Sequence, residues 1–162
     1  MKIRVTIPAF LTALLLAPGV RTEDAASENG PGGADRPVRI AVVVNKSNPT
    51  NSLGMAEVRR IFLRKKQKWP DGSAIAVFER ATENPVREQF SQLVLGKTPS
   101  QLRGYWLNMK LTRGLRAPRV CRSPSLLRHY LQRIKGGIGY MYEDKLDDTV
   151  KVVKLLEIRE DE

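Results

Sequence analysis

The chain has 162 residues, enough for one domain with a single modest core. Its 28 Lys and Arg against 17 Asp and Glu give a formal charge of +11, which favours anionic partners without naming the anion. One cysteine and one histidine, Cys121 and His129, leave no intramolecular disulfide and make a poor metal site and a poor nucleophile pair.

Lys2 and Arg4 precede an apolar run from Val5 to Ala17, and Ala17-Pro18-Gly19 supplies small residues for cleavage. This pattern predicts a signal peptide over 1–19 and export to the periplasm or beyond. The run falls short of the ~20 residues a membrane-spanning helix needs. Residues 20–36, with E-N-G-P-G-G-A-D at their centre, have no apolar period and predict a disordered leader. The folded domain is expected over 37–156, followed by an acidic tail over 157–162.

Within the domain, Val38 to Val44 is nearly continuous in β-branched residues, the pattern of a strand buried on both faces as in a parallel sheet. A polar loop with Pro49 leads to a helix over Met55 to Leu63, with Val58, Ile61 and Phe62 facing the core. Trp69-Pro70-Asp71-Gly72 predicts a tight turn, and Ala74 to Phe78 a strand. Asn84-Pro85 caps a helix that ends at Gly96. Thr98 and Gln101 form a capping box for the helix carrying Leu102, Tyr105, Trp106 and Met109. A short strand at Arg119 to Arg122, a helix opened by Ser123-Pro124, a glycine-rich strand at Gly136 to Met141 and a last strand at Val150 to Leu156 complete the alternation. That alternation predicts an α/β sheet covered on both faces.

Charge is unevenly spread. Residues 37–156 hold 23 Lys/Arg and 9 Asp/Glu, a balance of 23 − 9 = +14. Arg59, Arg60, Arg64, Lys65, Lys66 and Lys68 cluster at the end of the first helix, with Arg60 and Arg64 one turn apart. Arg113, Arg116, Arg119 and Arg122 form a second run at spacing three. These runs read either as solvated faces or as a docking surface for an anionic membrane, lipopolysaccharide or an acidic protein. Nucleic acid is not expected, because no interleaved aromatics or module signature accompany the charge. Glu143, Asp144, Asp147 and Asp148 lack the calcium-loop pattern and read as solvated loop charge.

Three stretches carry a resemblance. E-V-R-R-I-F-L ahead of W-P-D-G, Arg80 followed by V-R-E-Q-F (Val86 to Phe90), and G-G-I-G-Y (Gly136 to Tyr140) together resemble the second lobe of periplasmic phosphate-binding proteins, the soluble receptors of ABC phosphate importers. The likeness runs from about Val38 to Val153. It implies a single periplasmic-binding-protein-like lobe, with a mixed or mostly parallel sheet of about five strands flanked by helices. It also implies a non-enzymatic, cofactor-free, exported solute-binding domain with phosphate or another oxyanion as ligand, accessory to phosphate transport. The family's first lobe is expected to be absent.

Matched by position, Arg80 falls on the arginine that the family uses for its anion, and Asn84, Pro85 and Val86 fall on its Ser-Gly-Thr turn. The match is incomplete. Pro85 has no N–H, Val86 has no hydroxyl, and Glu79 and Glu83 place negative charge beside the loop. Arg80 and Asn84 are therefore the candidate ligand residues. The competing reading makes Arg80 a salt-bridged strand end and the protein an adaptor that docks through its basic face without a small-molecule ligand. Tyr105, Trp106, Tyr140 and Tyr142 are candidates for an exposed patch on such an adaptor, although the first two read better as core residues.

Overall fold

The computed structural model describes residues 38–158. The expected signal peptide, the leader and residues 159–162 lie outside the described residues. In chain order the elements are β1 (Arg39–Asn45), α1 (Met55–Phe62), β2 (Ala76–Arg80), α2 (Pro85–Phe90), a π-helical turn (Ser91–Leu95), α3 (Pro99–Arg113), β3 (Arg119–Cys121), α4 (Pro124–Arg133), β4 (Gly137–Tyr142), a 3-10 turn (Glu143–Lys145) and β5 (Val150–Glu157). The strands form one sheet in the order β3-β2-β4-β1-β5. β2 runs parallel to β3 and β4, while β1 is antiparallel to both β4 and β5. The sheet is thus mixed but mostly parallel in strand direction.

β1 corrects one expectation. Ile40 to Val44 are each 0% exposed, so the strand is buried on both faces as its sequence demands. Its direction opposes both neighbours, because two-sided burial follows from cover above and below the sheet and not from strand direction. Alternation divides the residues between two cores. Ile40, Val42 and Val44 join Val58, Phe62, Phe90, Trp106 and Tyr140 on one side. Ala41 and Val43 join Phe78, Cys121, Leu127 and Leu131 on the other. Cys121 is a buried strand residue and His129 lies exposed on α4.

The local signals are realised in detail. The Thr98–Gln101 capping box forms reciprocally at the start of α3. Gly72 N–H donates to the Trp69 carbonyl at 2.9 Å, closing the turn. The Trp69 indole then donates to the Gly136 carbonyl at 3.1 Å. A Cβ at Gly136 would lie 2.0 Å from the Ala74 carbonyl oxygen, so only glycine allows this approach. β2 begins two residues later than expected because Lys68 and Ala74 first form an isolated bridge across the turn.

α1 ends at Phe62, not Leu63. Arg64 follows in the left-handed region at φ 58°. Arg64 N–H donates to the Ile61 carbonyl and Lys65 N–H to the Arg60 carbonyl, the paired bonds of a Schellman cap. Arg64 is therefore beyond the helix and does not share a helix face with Arg60. At the other end of the domain, Ile158 N–H donates to the Val38 carbonyl at 2.9 Å.

Candidate functional site

Arg80 is the last residue of β2 and Cys121 the last of β3, so both sit at the carboxyl edge of the parallel strands. In open α/β sheets that edge is where ligands collect, because helix N-termini point there. Arg80 is 3% exposed. Its Nη2 donates to the Arg122 carbonyl at 3.1 Å, one residue ahead of Ser123, which caps α4. The guanidinium therefore lies beside the positive end of a ten-residue helix. Its Nε and Nη1 have no hydrogen-bond partner among the described residues. Burial pulls its pKa below the ordinary range, with Cys121 and Tyr140 opposing that shift.

No carboxylate pairs with Arg80 among the described ion pairs. The salt-bridged alternative for this residue is thereby corrected. Glu79, its neighbour, points to the opposite face of the strand and is 2% exposed, ion-paired with Arg87. The expected repulsion from Glu79 beside the anion loop is corrected too, because strand alternation turns its carboxylate into the α2 side of the core. Burial pushes the Glu79 carboxyl above its usual range, against the pull of Arg87.

Asn84 is half-buried and caps α2, its side-chain oxygen accepting from Val86 N–H at 3.2 Å. That N–H, one of the donors an anion would use, is thus already taken. Val86 is 2% exposed and packs in the larger core. A hydroxyl at this position would face apolar side chains. Glu83 is exposed on the loop.

Sequence reasoning missed two members of this region. The Tyr140 hydroxyl accepts from the Arg80 backbone N–H at 3.5 Å, and Arg87 supplies the buried counter-charge of Glu79. Tyr140 is 0% exposed, so its place in an exposed aromatic patch is corrected. It stacks on Phe90 at 3.8 Å between centroids, with Phe62 edge-on at 5.5 Å. Trp106 is also buried, and the Tyr105 hydroxyl donates to the Leu63 carbonyl at 2.8 Å. The signal available in the sequence was V-F-E-R at the end of a strand, two charges where alternation leaves no wet face.

The fold is that of part of several solved phosphate-binding proteins. An ABC-type phosphate transport receptor from Vibrio cholerae is 20% identical with a TM-score of 0.57, covering 72% of this chain and 46% of the receptor. A Clostridium perfringens protein of the phosphate ABC transporter substrate-binding class, solved with bound phosphate, is 21% identical with a TM-score of 0.60, covering 72% and 44%. A phosphate-binding protein from Stenotrophomonas maltophilia is 21% identical with a TM-score of 0.51, covering 73% and 40%. The chain spans less than half the length of these receptors, and at such identities the likeness shows the fold. No protein-family model matches the sequence, and no curated protein is significantly similar to it.

The first basic run divides on inspection. Arg59 donates to the Leu95 carbonyl at 3.1 Å, closing the π-helical turn. Lys66 pairs with Glu57, and Arg64 forms the cap described above. Arg60, Lys65 and Lys68 are exposed. In the second run, Arg119 lies over the Tyr130 ring at 5.1 Å from its centroid, and Arg113, Arg116 and Arg122 are exposed. The acidic loop is engaged locally: Asp147 accepts from Thr149 N–H at 3.0 Å and pairs with Arg128 at 2.7 Å.

Proposed function

We propose that this chain is an exported, non-enzymatic solute-binding lobe that takes an oxyanion, phosphate first, at Arg80, as an accessory to phosphate transport. The observation that carries the reading is the Arg80 guanidinium. It is buried at the carboxyl edge of the parallel strands, has no counter-charge among the described residues, and keeps two nitrogens without an acceptor. Desolvating a charge costs several kcal/mol unless something compensates it. An unpaired guanidinium in a receptor fold is the kind of cost a binding site incurs. The Clostridium perfringens protein holding phosphate in the same fold supports the choice of anion.

Affinity should be low. The α2 end offers little, since Pro85 has no N–H and the Val86 N–H is taken by Asn84. Arg80 is 3% exposed, so an anion reaches its guanidinium only when its cover shifts. A dissociation constant on the order of millimolar matches the few contacts left. Isothermal titration of the mature protein with phosphate and sulfate at low salt tests the reading. Weak binding that Arg80→Lys reduces and Arg80→Met abolishes supports it. Heat that is unchanged in Arg80→Met, or an absence of heat in the wild type at millimolar anion, overturns it.

A further inference from the structure

Residues 97–122 contain seven Lys and Arg, namely Lys97, Arg103, Lys110, Arg113, Arg116, Arg119 and Arg122, and no Asp or Glu. Helix α3 lies in the middle of this stretch. Its core face is Leu102, Trp106 and Met109. At about 100° per residue, the opposite face is centred on Leu107 and Leu111, with Arg103 and Lys110 on its flank. Leu107 is 60% exposed and Leu111 76%, the two most exposed large hydrophobic residues among those described. Beside them is a shallow recess of about 300 Å³ lined by Trp106, Leu107, Lys110, Arg116 and Ala117. Trp106 is 7% exposed, and its indole N–H has no hydrogen-bond partner among the described residues.

We propose that the outer face of α3 docks on an anionic phospholipid bilayer, with Leu107 and Leu111 entering the acyl boundary and a headgroup phosphate held over the recess by Lys110 and Arg116. Two leucines one turn apart among cations supply the two forces that hold a helix at a membrane interface, buried apolar area and attraction to anionic lipid. The long stems of Lys110 and Arg103 can lie along apolar surface while their charges reach headgroups. The charge complement is one-signed, because no carboxylate lies on α3 to repel anionic lipid. A bilayer also suits a convex face. A specific protein partner would need roughly 800 Å² of complementary surface on each side, and α3 offers a ridge and a shallow recess. This inference does not depend on Arg80.

The test is co-sedimentation of the mature protein with vesicles of phosphatidylcholine, with and without phosphatidylglycerol, across a salt series. The expected result is binding that requires phosphatidylglycerol and weakens as salt rises. Leu107→Ser with Leu111→Ser should lower the partition by at least roughly tenfold at unchanged melting temperature, since both side chains are exposed. Lys110→Glu with Arg116→Glu should lower it further, while Arg80→Met should leave it unchanged. Wild-type indifference to phosphatidylglycerol vesicles at low salt, or a double leucine variant that sediments like wild type, overturns the proposal. Capture by polyglutamate but not by vesicles, with the leucines dispensable, overturns it in favour of an acidic protein.

Discussion

Arg80 and Arg87 are both buried guanidiniums, and they differ in what faces them. Arg87 has the Glu79 carboxylate, whereas Arg80 has one backbone carbonyl. Removing an uncompensated buried charge relieves a desolvation cost, so Arg80→Met should raise stability by about 1 kcal/mol, read as a higher melting midpoint, while phosphate binding disappears. Arg87→Met should do the opposite and cost about 3–5 kcal/mol, because it strands a buried carboxylate. The pH dependence follows from Glu79. Its folded-state pKa is raised above 4.5 by burial, so the folded state holds the proton more tightly than the unfolded chain. Stability is then greatest below that value and declines as pH rises through the raised pKa. In Arg87→Met the downward pull is gone, so the decline should extend to higher pH. The double variant Glu79→Gln, Arg87→Met should lose the slope. Denaturant melts of the three proteins across the acidic to neutral range check all three statements.

At the scale of elements, the caps repay attention because they show which sequence signals were sufficient. Thr98 and Gln101, Asn84-Pro85 and Ser123-Pro124 each mark a helix start by side-chain chemistry within three residues, and each is found where the sequence places it. The end of α1 was legible to within a residue but its cap was not, since the left-handed residue is Arg64 and the usual mark is glycine. Arg64→Gly should therefore stabilise the domain by about 0.5–1 kcal/mol, the left-handed penalty relieved less the entropy glycine adds to the unfolded chain. Thermal melts of the single variant decide it. Gly96 is the converse case. It sits at φ 62°, and a Cβ there would lie 3.3 Å from the Arg59 guanidinium. Gly96→Ala should cost about 1–2 kcal/mol, and hydrogen exchange should show the π-helical turn loosened first. The direction of β1 was illegible for another reason, because a run buried on both faces carries no record of which way its neighbours point. Whether Arg80 has a counter-charge could not be read from the sequence, since ion pairing depends on which side chains the fold brings together.

For the whole molecule, residues 37–156 carry 23 Lys/Arg against 9 Asp/Glu, and that excess opposes compaction. Added salt screens exposed charges to a reach of about 8 Å at physiological strength, so the melting temperature of the protein should rise as salt is added from low ionic strength. A flat response would show that the charges are too dispersed to matter. The α/β class was legible from the alternation of strand and helix patterns and the mostly parallel sheet from the resemblance, whereas strand order was not, because it depends on pairings between distant residues. One of those pairings has a consequence for engineering. The Ile158 to Val38 hydrogen bond holds the start of β1 beside the end of β5, so a chain trimmed to residues 38–158 can be closed there by a short linker at little entropic cost. Opened instead between Asp71 and Gly72, on an exposed turn, the circularly permuted chain should recover the same sheet. By the same geometry the lobe could be spliced into a surface loop of an unrelated host as a cassette, entering and leaving at one point.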